Sequence, residues 1–205
     1  MSRSFAQETV RQKSGQTAEE AAGPSPVVLG KRDYAQHQFG LMLFMVSQGI
    51  PYFVLINVRF MVAGAYVPPY LDVWLGALLP TILLWAGAAF AWRGALALRQ
   101  DGGARCARDL TWTEVVGVAG LIALMAPFWR HAFDPIGRFG TVYLSSLGVA
   151  SFYTLVALTV VLGAIFRARR GLVTRQAPWG ARSAAAVWTF NAASWLVLYI
   201  VFYFI

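Results

Sequence analysis

The chain is poor in charged residues and in cysteine. Charged residues make up 13% of its 205 residues, about half of the roughly 25% found in soluble domains. So few charged side chains cannot cover a surface that faces water, which excludes an ordinary soluble domain. The single cysteine, Cys106, excludes an intramolecular disulfide and any zinc or iron–sulfur site built from several cysteines.

Side chains for metal binding and for acid–base catalysis are also scarce. The sequence contains two histidines, His37 and His131, which flank different apolar runs. We expect these runs to place the two rings on opposite sides of a membrane, about 30 Å apart. At that separation they cannot both ligate one haem, and neither has the further ligands that a copper or zinc site needs. The sequence therefore predicts that this chain binds no metal and no cofactor itself.

Long apolar runs fill most of the chain instead. Hydrophobic residues make up 58% of the sequence, and the five longest runs cover residues 39–63, 71–98, 113–129, 139–166 and 184–205. Each is close to the roughly 20 residues that cross about 30 Å of hydrocarbon as a helix, and none alternates as a strand does. The sequence predicts an all-α membrane protein. A bundle of five transmembrane helices occupies residues 36–205, and a polar tail at residues 1–35 is expected to lie on a partner.

The cations between the runs predict the orientation of the bundle. Three are expected on one side of the membrane, namely Arg59, Arg130 and Arg138. Ten are expected on the other side: Lys31, Arg32, Arg99, Arg105, Arg108, Arg167, Arg169, Arg170, Arg175 and Arg182. The positive-inside rule then places the N-terminus in the cytoplasm and the C-terminus outside. Membrane topology explains the net charge of +8, so we expect no nucleic-acid partner.

Two uncharged polar residues, Gln48 and Asn191, lie well inside the first and the fifth run. Both runs are predicted to start in the cytoplasm, which puts the two side chains at a similar depth of about 12–14 Å. Residues at equal depth on two helices can share a hydrogen bond. We predict that Gln48 and Asn191 contact neighbouring helices, and we do not expect a transport role because neither side chain titrates.

Two arginines and a stripe of small residues complete the set of candidate positions. Arg59 and Arg93 lie towards the ends of predicted spans, where an arginine extends to the headgroups or holds a lipid phosphate. Gly87, Ala91 and Ala95 recur at every fourth position of the second run. Such a stripe allows another backbone to approach closely, which predicts helix packing.

Two segments resemble the subunit III family of the haem–copper oxidases. The run GLMLFMVSQGIPYFVLINVRF from Gly40 is similar to the family's signature helix, which has a Gly-x-x-Leu/Ile-Phe-x-x-Ser-Glu pattern. The run VWTFNAASWLVLYIVFY is similar to the family's last helix, and its matching residues are Trp188, Phe190, Trp195 and Tyr199. With weaker matches at 79–100 and 137–167, the resemblance covers about residues 38–205. It fits the five-helix bacterial form of the family.

The chain departs from the family where the family has titratable side chains. A buried glutamate of the family aligns with Gln48. The histidines of the family's fourth helix, counted in the five-helix form, align with Ala150 and Tyr153. The histidine and aspartate of its last helix align with Thr189 and Ala192. All these positions are neutral here. A packing or lipid-binding role is compatible with these residues, whereas a role in collecting protons would need the missing groups.

The resemblance implies an accessory subunit of a bacterial terminal oxidase, not an enzyme by itself. In the family, subunit III carries no haem or copper, packs against the catalytic subunit I, encloses phospholipids and sustains proton uptake. The resemblance implies subunits I and II as partners, haem and copper in those partners, and a multi-pass location in the bacterial cytoplasmic membrane. The expected sites are Gln48, Thr189 and Asn191 for helix contacts, and Arg59 and Arg93 for lipid.

Two other functions remain open at this stage. Proteins similar to subunit III also accompany nitric oxide reductases, and the neutral positions are compatible with that complex. A small independent transporter is a further alternative from another class. Against a transporter, the sequence has no inverted repeat and no charged residue near the middle of a span.

Overall fold

The computed structural model describes residues 28–64, 66–69, 71–100, 102–130 and 137–205. Within these residues the protein is all-helical, with five helices long and apolar enough to cross a membrane. In chain order they are α1 Lys31–Ala63, α2 Trp74–Gln100, α3 Gly103–Arg130, α4 Arg138–Arg169 and α5 Trp179–Tyr203. A π-helical turn opens α2 and a 3₁₀ turn ends it. The prediction of an all-α membrane protein with five long apolar helices is confirmed.

Several helices begin before the predicted spans. α1 begins at Lys31, α3 at Gly103 and α5 at Trp179, whereas the apolar runs begin at residues 39, 113 and 184. Hydropathy marks only the part of a helix that lies in the hydrocarbon. The backbone hydrogen bonds of the helix continue beyond that part. At 1.5 Å per residue, α1 is about 50 Å long, against about 30 Å of hydrocarbon.

This longer α1 changes the boundary of the predicted polar tail. Residues 31–35 form the first turns of α1, because a helix in water needs no apolar side chains to continue. Residues 1–27 of the tail, and His131, lie outside the described residues.

Four helices form a ring and the fifth lies outside it. α2 packs against α3, α3 against α4, α4 against α5, and α5 closes the ring against α2. α1 packs on the outside, against α4 and α5. α1 has three buried residues, because only one narrow face of this helix meets the rest of the chain.

Pairs of contacting residues give the helix directions. The ring of Tyr34 at the start of α1 lies 5.2 Å from that of Trp179 at the start of α5. Arg59 near the end of α1 lies over Phe202 near the end of α5, so these two helices run parallel. Neighbours in the ring run antiparallel. The chain thus begins α1 and ends α5 at opposite ends of the bundle. We call the end that carries Lys31 and the segments 98–100, 102–103 and 170–178 the basic end.

A tryptophan fills the centre of the ring. Trp188 of α5 is fully buried, and a Cβ atom added at Gly87 or Gly117 would lie 2.6 Å or 2.3 Å from its indole. Two helices can pack around this ring only because neither glycine has a side chain. The predicted stripe of small residues is buried at Gly87, Ala91 and Ala95, and its role in packing follows from this contact.

Candidate functional site

α1 buries polar side chains and exposes apolar ones. Its buried residues are Gln48, Tyr52 and Arg59, which share one face of the helix because they are four and seven positions apart. Its exposed residues include Phe39, Met42, Leu43, Val46, Ile50, Phe53, Val54 and Met61. This arrangement suits a helix in lipid, because hydrocarbon solvates apolar side chains and cannot hydrogen-bond to polar ones. The functional candidates on α1 therefore point into the protein.

We call the buried polar residues Gln48, Tyr52, Ser151, Thr154 and Asn191 the polar seam. They lie on α1, α4 and α5, three helices that pack against one another. The Tyr52 ring lies 5.5 Å from the ring next to Thr154 in α4, that of Tyr153. The Asn191 amide donates to the Thr154 hydroxyl over 3.1 Å. These contacts place Tyr52, Thr154 and Asn191 at similar levels of the bundle.

The polar seam has unused hydrogen-bonding capacity. The Tyr52 hydroxyl, Ser151 Oγ and Asn191 Oδ1 are buried and have no partner among the described residues. A buried polar atom without a partner is unfavourable by about 1–3 kcal/mol. The three atoms lie on three different helices, α1, α4 and α5. The side chains of the seam are uncharged, so they can donate and accept hydrogen bonds.

Asn191 and Thr189 bridge different helices. Asn191 bonds to Thr154 on α4, whereas the sequence suggested a partner at equal depth, Gln48. Thr189 accepts a hydrogen bond of 2.8 Å from Trp92 on α2 and donates its own hydroxyl to Ala185 one turn earlier. Gln48 is buried in the polar seam. Trp92 was not singled out from the sequence, although an indole N–H in an apolar run needs an acceptor.

Two further tryptophans tie α5 to α2. The Trp188 indole donates to the carbonyl of Leu84 over 2.9 Å, and the Trp195 indole donates to the hydroxyl of Thr81 over 2.9 Å. Thr81 in turn donates to the Ala77 carbonyl. The resemblance selected both tryptophans as matches to the family, but their acceptors could be found only from the fold. In hydrocarbon each bond removes an unpaired donor, so these residues stabilise the contact between α2 and α5.

Arg59 lies in a different environment from the one expected. Its side chain is fully buried, and its guanidinium donates to the carbonyls of Gly64 and Tyr66. It also lies over the rings of Phe139 and Phe202, at 5.2 Å and 5.7 Å from their centroids. The last carbonyls of a helix lack helical partners, and aromatic faces attract cations. Arg59 therefore fastens the end of α1 and does not extend to the headgroups as expected.

Arg93 is exposed on α2, and its guanidinium lies 5.6 Å from the centroid of the Phe90 ring. A cation over an aromatic face keeps its outer N–H groups available. The position is compatible with contact to a lipid phosphate, and that role stays a prediction.

In the part of the chain that the structure describes, no three His, Cys, Asp or Glu side chains are grouped as metal ligands. His37 is exposed, with Nδ1 2.7 Å from the Asp33 carbonyl and its ring 5.8 Å from that of Trp179. Its neighbours are those of an interfacial residue at the start of a helix. The expectation that the chain holds no cofactor stays a prediction.

The motifs of the resemblance lie on helices that touch each other. The ring of Phe190 in α5 comes within 3.6 Å of a Cβ atom added at Gly49 in α1. Comparison of the sequence with protein-family models and with curated protein sequences found no match in either case.

Proposed function

We propose that this chain is a non-catalytic subunit of a bacterial haem–copper terminal oxidase, in the position of subunit III. Oxygen reduction to water and proton pumping would take place in partner subunits, which hold the haem and the copper. The chain would pack against subunit I and hold phospholipids. It would lie in the cytoplasmic membrane with its basic end in the cytoplasm, as the distribution of cations predicts.

The observation that carries this proposal is the parallel packing of α1 and α5. These helices hold the two segments most similar to the family, and Gly49 of one lies against Phe190 of the other. Two positions that align with titratable residues of the family, Gln48 on α1 and Tyr153 on α4, also lie on packed helices. Gln48 is buried, and the Tyr153 ring lies beside that of Tyr52 on α1. Separate motifs of a shared ancestor would be expected to converge in this way.

The chemistry of the polar seam supports an accessory role. Gln48, Thr154 and Asn191 remain neutral at any physiological pH, so the seam can position helices and water but cannot store a proton. The chain itself would therefore contribute packing and lipid contacts. Proton movement would be left to its partners.

The exposed face of α1 supports a contact with a larger neighbour. Gly40 has open space where its Cβ would lie, and Phe53 is 69% exposed on the same helix. In a membrane, helices associate through close packing at small residues and through dispersion contacts of larger ones. α1 offers both, and it lies outside the ring of the other four helices.

Purification of the full chain from its native host tests the proposal. A tag on the N-terminal tail should bring down a larger subunit with haem absorbance and oxygen consumption. Phe53→Asn on the exposed face of α1 should reduce the recovered haem. The matched control, Ile122→Asn on the exposed face of α3, should leave it unchanged. A colourless chain that is purified alone, under conditions that preserve oxidase activity in the membrane, would contradict the proposal.

An accessory role in a nitric oxide reductase is the second candidate. The neutral residues Gln48, Thr189 and Ala192 favour it, because they remove the family's titratable groups. The same preparation separates the two. Turnover of nitric oxide without oxygen consumption would favour the reductase. Solute transport by the isolated chain in liposomes would instead support the independent transporter.

A further inference from the structure

A cavity of about 590 Å³ opens at the basic end of the bundle. It lies between the turn that joins α2 to α3 and the loop that joins α4 to α5. Its walls include Leu98, Ala107, Ala168, Arg169, Val173 and Arg175. This volume lies within the range of about 300–1,000 Å³ that is typical of ligand pockets.

The loop that forms one wall is held in place by its own hydrogen bonds. The Leu172 amide donates to the Arg167 carbonyl over 2.9 Å, and the Ala177 amide donates to the Thr174 carbonyl over 3.1 Å. Val173 points inward and is buried. The wall is therefore preformed, so little conformational entropy would be lost when a ligand enters.

The lining is cationic on one side and apolar on the other. Arg169 and Arg175 are exposed to solvent at the cavity, whereas Ala104 and Ala107 give its α3 side an accessible apolar surface and Val173 is buried behind it. Arg169 Nη2 also lies 3.4 Å from the Thr111 hydroxyl, which directs this arginine towards α3. A ligand that satisfies both sides carries negative charge next to apolar surface.

The surrounding sequence adds to the positive charge. Residues 99–109 and 167–182 contain eight arginines and two aspartates, and the second segment contains no acid. Arginine is well suited to phosphate because its planar fork presents parallel N–H groups to two oxygens. The excess of positive charge favours an anionic ligand, such as a phosphate, over a neutral ligand.

We propose that this cavity binds the phosphate of an anionic ligand, held by Arg169 and Arg175. The apolar wall favours the headgroup region of an anionic phospholipid, because free inorganic phosphate would leave that wall in contact with water. The site lies at the level where a membrane protein with a basic end meets anionic headgroups. It requires the bundle to sit in a membrane and does not depend on an oxidase partner.

Lipid retention by the full chain tests the site. Native mass spectrometry would compare the purified chain in micelles that contain phosphatidylglycerol or phosphatidylcholine. The unsubstituted chain should retain phosphatidylglycerol in preference. Arg169→Gln with Arg175→Gln should weaken this retention about tenfold, since two charge-assisted contacts are lost. Arg32→Gln with Arg99→Gln removes the same charge from the basic end outside the cavity and should leave retention nearly unchanged.

A variant that fills the cavity separates local binding from folding. Ala104→Trp leaves every charge in place and projects into the space from an exposed position. It should also lose phosphatidylglycerol while keeping the helical circular dichroism and elution volume of the parent chain. If Ala104→Trp and the Arg169/Arg175 variant both retain phosphatidylglycerol as the control does, the proposal is overturned.

A second arm identifies the source of the phosphate. Thermal unfolding would be measured with phosphatidylglycerol vesicles and, separately, with inorganic phosphate in phosphatidylcholine vesicles. If phosphatidylglycerol raises the melting temperature, inorganic phosphate does not, and the rise requires Arg169 and Arg175, the ligand is a lipid headgroup. Equal stabilisation by inorganic phosphate identifies a soluble phosphate ligand. If neither stabilises the unsubstituted chain more than the Arg169/Arg175 variant, the cavity is not a phosphate site.

Discussion

At the scale of single residues, Trp188 depends on the absence of side chains around it. Its indole is fully buried and bonded to the Leu84 carbonyl. Gly87 and Gly117 leave room for the ring on two other helices. The large indole thus fits inside the bundle because the neighbouring helices have glycine where they contact it. A single added methyl group should be enough to disturb it.

We expect Gly117→Ala to lower the free energy of unfolding by about 1–3 kcal/mol, the usual effect of overpacking. The added Cβ would lie 2.3 Å from Trp188 Cη2 and 2.8 Å from Leu158 Cδ2, so both side chains must move. Unfolding by a denaturing detergent measures the change. Gly163→Ala is the control, because a Cβ there meets no atom within 4 Å. Equal effects of the two substitutions would show that Trp188 tolerates the added methyl group.

The bond between Asn191 and Thr154 should be weak. Hydrogen bonds between membrane helices couple by about 0.6 kcal/mol on average. Asn191 Oδ1 is also buried without a partner among the described residues, so Asn191→Leu relieves one unfavourable group while it removes one bond. A double-mutant cycle with Thr154→Val should give a coupling energy of about 0.6 kcal/mol. A coupling near zero would remove the structural role of this bond.

At the scale of elements, α1 differs from the other helices. It buries three residues, all with polar groups, while α4 and α5 bury mainly apolar ones. Its end is fastened by Arg59 to Gly64, whose φ of +60° is a conformation that glycine adopts readily. α1 is thus joined to the ring by aromatic and cation–π contacts at a few levels, so substitutions in those contacts should affect its attachment.

We expect Tyr52→Phe to maintain or raise stability, by up to about 1 kcal/mol. The Tyr52 hydroxyl is buried and has no acceptor or donor within the described residues, and removing such a group relieves its desolvation penalty. Tyr143→Phe is the contrasting variant, because the Tyr143 hydroxyl lies 2.5 Å from that of Tyr203. It should lower stability. Thermal melting in one detergent compares the two.

Tyr52→Phe also reports on the polar seam. A clear loss of stability in this variant would mean that the hydroxyl has a partner such as bound water. That result would favour a hydrated seam over an empty one.

At the scale of the whole molecule, the helices alternate in direction and bring cationic segments to one end. α1 and α5 begin at the basic end, since Tyr34 contacts Trp179. The opposite end is joined by an ion pair of 2.8 Å between Arg130 and Asp72, and Asp72 also caps α2 through the amides of Trp74 and Leu75. The sequence predicts that the basic end faces the cytoplasm.

Cysteine labelling in whole cells tests this orientation. Tyr66→Cys lies in the loop after α1, and Gln176→Cys lies in the loop before α5; both positions are exposed. A membrane-impermeant maleimide should label the first in intact cells and the second only after the membrane is opened. The native Cys106 is buried, so background labelling should be low. The reverse pattern would mean that the bundle is inserted the other way round.

Hydropathy along the chain was enough to predict the class of the protein and the number of its long apolar helices. Hydropathy suffices for this because the thickness of the hydrocarbon sets a length that can be read along a single run. It placed the polar seam candidates Gln48 and Asn191 in the interior. It could not locate the helix ends, since a helix continues into water without an apolar signal.

The contacts between side chains of different helices could be identified only from the fold. Arg59 looked like a headgroup ligand because it is near the end of a run, yet the fold covers it with Phe139 and Phe202. Asn191 donates its hydrogen bond to Thr154 and not to Gln48. Depth in the membrane fixes the level of a residue but not the direction in which its side chain points. Contacts between helices depend on the shapes of two surfaces that lie far apart in the chain, and no local pattern records them.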